Sequence, residues 1–182
     1  MRAEDFQVLT LDSIDTVRKY VNSYVNGCCD NTVGCLFGWR EFYGVYYCIS
    51  EDILFIRYSN DEEIGVIYAS PMPLSGRPED FLKGIDMLMD MTVSSGENKL
   101  MLVTVTSPEI PYICEKYGSR VSYYADEDAY DYVYNSGDLA FFKGKKYHGE
   151  RNHVNKFKSL YPDYTFVKIT DERIKQAYDF CL

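Results

Sequence analysis

Three short runs rich in β-branched and aromatic residues, 45–49, 53–58 and 64–68, do most to limit the folds open to this chain. Only Ser-Glu-Asp separates the first pair, and only Ser-Asn-Asp-Glu-Glu the second. Links that short and polar cannot hold a crossover helix, so adjacent runs must be antiparallel. The stretch predicts a meander of hairpins.

Helical periodicity surrounds it. Ile14, Val17, Val21 and Tyr24 fall at steps of three and four, predicting a helix over 11–25 with Asp12 or Ser13 as N-cap and Gly27 as its stop. A short helix is expected over 33–42, with Leu36, Phe37 and Trp39 inward and Gly44 at its end. Pro71, Pro73 and Gly76 mark a loop. An amphipathic helix over 78–93 follows, with Pro78 in its first turn and Phe81, Leu82, Ile85, Leu88, Met89 and Thr92 on the buried face. A strand over 100–105 leads to a helix that Ser107 caps, with Pro108 at its first position and Gly118 closing it. Residues 121–124 and 130–134 read as two more strands around Asp126-Glu127-Asp128. That triplet lacks the glycine and glutamate of a calcium loop and reads as a solvated turn. The order α-α-β-β-β-α-β-α-β-β gives an α/β (α+β) fold, with helices packed on a mixed sheet.

Residues 1–135 make a first domain on this reading, and 136–182 a remainder. The remainder holds a short helix over 137–142, a basic segment, a strand over 164–169, and a last helix capped by Thr170 that runs through Ile174, Ala177 and Phe180. A strand and a helix bury too little to stand as a domain.

The basic segment is Lys143-Gly-Lys-Lys-Tyr-His-Gly-Glu-Arg-Asn-His-Val-Asn-Lys-Phe-Lys158. Its net charge is +5 in a chain of net charge −9, and it holds both histidines. A helix interrupted early by Gly149 would put Tyr147, Val154, Phe157 and Tyr161 on an apolar stripe. His148, Asn152, Asn155 and Ser159 would share another face. Asparagine is a poor helix former, so two on one face beside a histidine suggest side chains used for hydrogen bonding. Lys145, Lys146, Arg151 and Lys156 are suited to phosphate contacts. Three readings stand side by side: a solvated helix pairing with the protein's own acidic surface, a polyanion site, and a catalytic histidine. His148 and His153, five apart, do not share a helix face, which excludes a zinc pair there.

The overall negative charge excludes DNA binding by the surface at large. The six cysteines lack CxxC spacing and follow no signal peptide, so they read as reduced thiols in a cytoplasmic protein. Cys28, Cys29 and Cys35 cluster without a clear fourth ligand, and the sequence predicts no metal and no cofactor. No run approaches the roughly 20 apolar residues of a membrane span. Walker, GxGxxG and GxSxG motifs are missing, and so is the acetyl-CoA pyrophosphate loop.

Several segments together resemble one family. They are Asp131-Tyr-Val-Tyr134, Asp138-Leu139, the basic segment as far as Phe157, Tyr161-Pro162, and Thr32-Val-Gly-Cys-Leu-Phe-Gly-Trp-Arg40. They look like signatures of bacterial proteins related to the phosphatidylglycerol lysyltransferase C-terminal domain, and the resemblance covers most of the chain. It implies two tandem GNAT-like units, each a mostly antiparallel sheet flanked by helices, with a substrate groove between them. The activity it implies is transfer of an aminoacyl group from aminoacyl-tRNA to a membrane lipid or an amine. By position, Lys145, Lys146, His148, Arg151, Asn152, His153, Asn155 and Lys156 belong to the signature joining the units, with no catalytic residue assigned. The chain departs from the family pattern in stopping after the first strand and helix of the second unit. The expectation is a chain incomplete as a transferase, with Ile174, Phe180 and Leu182 favouring a homodimer that completes it. Partners on this reading are aminoacyl-tRNA or an anionic lipid head group, at a cytoplasmic or membrane-peripheral location. The alternatives are a non-catalytic polyanion-binding module and an inactive half-protein.

Overall fold

At the centre lies a strand whose first four residues, Ile53 to Ile56, are all buried. Successive strand side chains point to opposite faces, so a strand apolar at every position must be covered on both. This is β3 (Ile53–Tyr58) in the computed structural model, which describes residues 1–24, 26–59 and 66–181. Two units divide the chain, Met1–Asp131 and Tyr132–Leu182.

In the first unit β3 pairs antiparallel with β2 (Val45–Ser50), from Val45 opposite Tyr58 to Ser50 opposite Ile53. The turn is Glu51-Asp52, both at positive φ (51° and 57°). That left-handed pair matches the twist of a two-residue hairpin, and Ser50, expected in the turn, completes the strand instead. β1 (Gln7–Val8) joins the outer edge of β2, while β4 (Ile67–Ala69) and β5 (Met72–Pro73) both pair antiparallel with β3. β6 (Leu102–Val103) runs parallel to β4 and completes a mostly antiparallel sheet of six strands. Of the third expected β run, Ile64 and Gly65 lie outside the described residues.

Helices cover both faces. Leu54 and Ile56 meet Val17, Tyr20 and Val21 of α1 (Ile14–Ser23) and Leu36 of α2 (Val33–Gly38). On the other face Ile53 and Phe55 meet Leu88 and Met91 of α4 (Pro78–Ser94), the helix that follows α3 (Arg40–Tyr43) and the meander. Phe81 and Ile85 of α4 then meet Ile113 and Tyr117 of α5 (Ile110–Tyr117). Each such side chain is worth about 1.5–3 kcal/mol when fully buried. Close approach of α4 to the sheet depends on Gly84, where an added Cβ would fall 2.6 Å from the Cβ of Pro71.

Several boundaries differ from expectation. α1 follows a 3-10 turn over Leu11–Ser13 and ends before Gly27, with Tyr24 as its C-cap. Ser13 occupies the N-cap, but its hydroxyl donates back to the Thr10 carbonyl at 2.8 Å. The helix expected over 33–42 breaks at Trp39, whose ring faces solvent rather than the core. The strand expected over 100–105 is two residues long. α5 starts after Pro108, with Glu109 rather than Ser107 as its N-cap, and the Glu109 carboxylate takes the Thr106 N–H at 2.6 Å. Residues 121–124 and 130–134 form no strands. Their β-prone Val and Tyr side chains find no strand to pair with among the described residues, and a 3-10 turn (Glu127–Ala129) separates them.

The second unit contains α6 (Ser136–Phe141), a 3-10 turn (Lys145–Tyr147), α7 (His148–Leu160) and α8 (Asp171–Cys181). Gly149 sits in the first turn of α7 and does not interrupt it. The strand expected over 164–169 is irregular, with no partner strand among the described residues to take its backbone hydrogen bonds. No described residue of this unit is buried.

Candidate functional site

The basic segment is shaped by its own neighbours. Asn135 caps α6, its side-chain oxygen accepting the Gly137 and Asp138 amides at 2.9 and 3.3 Å. Asp138 in turn accepts from Lys146 Nζ and from the Tyr147 hydroxyl, both at 3.0 Å. These bonds hold the Asp138 carboxyl below its usual range and push the Lys146 ammonium up. Arg151 donates to the carbonyls of Phe142 and Gly144, the latter at 2.7 Å. Phe142 has a left-handed backbone, φ 45°, where α6 ends.

Of the eight expected site residues, Lys146 and Arg151 therefore fasten the turn between α6 and α7. Lys145, His148, Asn152, His153, Asn155 and Lys156 are exposed, without a side-chain hydrogen bond or ion pair among the described residues. They offer donors and positive charge to a ligand, with no internal partner to displace. Phe157 turns to its own side chains, its ring centroid lying 5.1 Å from that of Tyr161 and 5.2 Å from that of Tyr164.

Of the features on the first unit's open side, the sequence pointed only to the cluster of Cys28, Cys29 and Cys35. A cleft of about 1660 Å³ runs along the β6 edge, lined among others by Trp39, Tyr58, Leu102, Tyr117, Tyr124 and Asp131. Burial raises the Tyr58 hydroxyl, and nearby Asp30 adds to the rise. In its wall a turn over Cys29–Asn31 meets the start of α2. Thr32 caps α2 by accepting the Cys35 amide at 3.3 Å, while its hydroxyl donates to the Cys29 carbonyl at 2.8 Å. The ligating atoms of Cys29, Asp30 and Cys35 lie within 4.8 Å of one another. Asp131 accepts the Cys29 amide at 2.9 Å, while the Cys29 thiol donates to Asp30 Oδ1 at 3.8 Å. That thiol is pushed up to about 12, chiefly by the Asp131 carboxylate.

Glu109 is the remaining unusual group. One carboxylate oxygen takes the Thr106 amide and hydroxyl, at 2.6 and 3.0 Å. The other is buried without a partner, and burial pushes the carboxyl up to about 7. The signal for Glu109 was present in Thr106-Ser-Pro-Glu109, which has the spacing of a capping box. Asp131 stood in a family-signature segment, but nothing in the sequence pointed to its contact with Cys29, 102 residues away.

A mixed sheet with helices on both faces, followed by a polar basic helix, defines an α/β domain with an appended helical unit. The chain belongs to the family of the phosphatidylglycerol lysyltransferase C-terminal domain, whose profile matches residues 22–180. It is also similar to a crystal structure of a conserved protein of unknown function from Bacteroides thetaiotaomicron VPI-5482. The two share 27% identity with a TM-score of 0.79. The match covers 99% of this chain and 58% of the other, so this chain spans little over half the length of that relative. No curated protein matches the sequence. No helix among the described residues is long and apolar enough to cross a membrane.

Proposed function

We propose that this chain is an aminoacyl-transfer domain, or the donor-binding part of one. In this reading it moves an aminoacyl group from aminoacyl-tRNA to an amine or a lipid hydroxyl. The observation that carries the reading is family membership across residues 22–180. In the transfer, the acceptor's nitrogen or oxygen attacks the ester carbonyl and a tetrahedral oxyanion forms. The tRNA ribose hydroxyl then leaves, taking up the proton that the nucleophile loses. Catalysis of this kind rests on positioning and on donors aimed at the oxyanion. The exposed side chains of α7 and of the 3-10 turn before it, Lys145, His148, Asn152, His153, Asn155 and Lys156, suit the phosphates and sugar of the donor. Lys146 and Arg151 fasten the turn between α6 and α7. A GNAT-like tandem arrangement, a second copy completing the groove, and a cytoplasmic, membrane-peripheral location belong to the same proposal. Exposed Phe166 and Phe180 support a partner surface.

Polyanion binding without turnover is a second reading. Neither histidine has a hydrogen-bonded partner among the described residues to orient it as a base, and this favours binding over catalysis. Binding of aminoacylated tRNA across a salt series, beside the Lys145→Ala/Lys156→Ala variant, tests the shared premise. Removing one cation that neutralises a phosphate should flatten the salt slope by about 1, and the double variant should flatten it by about 2. Release of label to an amine or lipid acceptor then separates transfer from binding. No binding by either protein at low salt sinks both readings.

A further inference from the structure

The turn and helix start that carry Cys29, Asp30 and Cys35, together with Asp131, form a constellation that the transfer reading leaves unused. We propose that Cys29, Asp30, Cys35 and Asp131 form a binding site for a thiophilic divalent cation of the zinc class, set in the wall of the first unit's cleft. Four observations carry the inference. The first is the donor set: two thiols and two carboxylates supply four ligating side chains, and thiolates select soft cations over magnesium or calcium.

The second is spacing. Bonds of about 2.0–2.3 Å to a tetrahedral zinc put neighbouring donors roughly 3.3–3.8 Å apart. Cys29 Sγ already lies 3.8 Å from Asp30 Oδ1, and all three atoms of the Cys29, Asp30 and Cys35 group lie within 4.8 Å. Closing that group on an ion therefore needs side-chain movement of about 1 Å or less, and no change of backbone.

The third is the frame. Cys29 and Cys35 are held by one side chain, Thr32, which donates to the carbonyl of the first and accepts the amide of the second. Backbone bonds from Asn31 to Cys28 and from Thr32 to Cys29 close the same turn, at 3.3 and 3.1 Å. Groups that fix ligand orientation in this way characterise sites organised before the ion arrives. The fourth is Asp131, whose carboxylate accepts the Cys29 amide at 2.9 Å and so stands beside the three-residue group as its candidate fourth ligand. Sequence spacing alone left the cysteine cluster one ligand short; the fold brings a second carboxylate to the same turn from 102 residues away.

The ion would tie the end of the irregular segment 121–131 to the Cys29–Asn31 turn. That segment has no strand partner among the described residues, so the cation gives it an anchor that its own backbone does not.

The test uses the full chain, stripped of metal with a chelator and titrated with Co²⁺ alone and then with Zn²⁺. The expected result is one Co²⁺ per chain with thiolate-to-cobalt absorption in the near ultraviolet, displaced by an equimolar amount of Zn²⁺. Asp131→Asn should weaken binding by about 10–100-fold, and Cys29→Ser or Cys35→Ser by more. Cys114→Ser, which removes a thiol from α5, should leave it unchanged. Alkylation of the wild-type chain, mapped by mass spectrometry, gives a readout that needs no variant to fold. Zn²⁺ should protect Cys29 and Cys35 while Cys181, exposed on α8, continues to react. The proposal is overturned by the absence of a stoichiometric thiolate band, by a band that survives both serine substitutions, or by Cys29 and Cys35 joining as a disulfide that Zn²⁺ does not prevent.

Discussion

The two units are built on different principles. In the first, tertiary contacts bridge long stretches of chain: Arg57 Nη1 donates to the Ala3 carbonyl, the Tyr117 hydroxyl to Asp86, and Ser70 Oγ to the Thr104 carbonyl. In the second, every described side-chain hydrogen bond reaches nine residues or fewer, and the largest apolar side chains, such as Phe166 and Phe180, face solvent. Burial on both faces of a sheet fixes the first. Caps and turns fix the second, and they specify local shape without providing a core. Damage to the first should therefore spread through the whole layer, and damage to the second should stay where it is made.

The largest effect expected is from Leu54→Ala. Leu54 is fully buried in β3, and its truncation should cost about 3–5 kcal/mol in denaturant unfolding. Amide exchange should rise together in β3, α1 and α2. A rise confined to β3 would mean that the first unit is not one cooperative layer.

Glu109 comes next, and here pH sets the size of the effect. Burial pushes the native carboxyl up to about 7, against an ordinary 4.5. Above that ordinary value the unfolded chain releases its proton first and binds fewer protons than the native one. Stability should then fall as pH rises from about 4.5 to about 7 and level off beyond. Glu109→Gln keeps an acceptor for Thr106 and carries no charge, so it should remove this slope. The expected gain over wild type is about 2–3 kcal/mol at pH 8 and close to nothing at pH 4. Stability curves that stay parallel across that range would show that the buried carboxyl finds a partner.

Asn135→Ala should have the smallest effect, about 1 kcal/mol. Faster exchange of the Gly137 and Asp138 amides, with no change in the first unit's melting, is the expected sign. A loss shared with β3 would break the contrast between the units.

How much the sequence disclosed follows the same division. The β2–β3 hairpin and α4 were legible because their apolar periods agree with a face that is in fact buried. The segments at 121–124 and 130–134 misled because Val and Tyr favour a strand only when another strand lies alongside. On α7 the spacing of His148, Asn152 and Asn155 predicted a shared polar face for hydrogen bonding, and all three side chains are exposed. The fastening roles of Lys146 and Arg151 were hidden, because their partners, Asp138 and the carbonyls of Phe142 and Gly144, depend on a turn that no periodicity encodes. The cleft was hidden for a similar reason: its lining converges from α2, β6, α5 and the segment that ends at Asp131.

Gly84 carries a lesson for protein engineering. Replacing a mid-helix glycine with alanine is a routine stabilising step, worth about 0.5–1 kcal/mol in an open helix. Here the missing methyl group acts as a spacer set to zero: α4 reaches the sheet because nothing projects toward Pro71. A consensus or design protocol that scores helices by intrinsic preference would choose the wrong residue at this position. Gly84→Ala would then damage α4 while looking like an improvement.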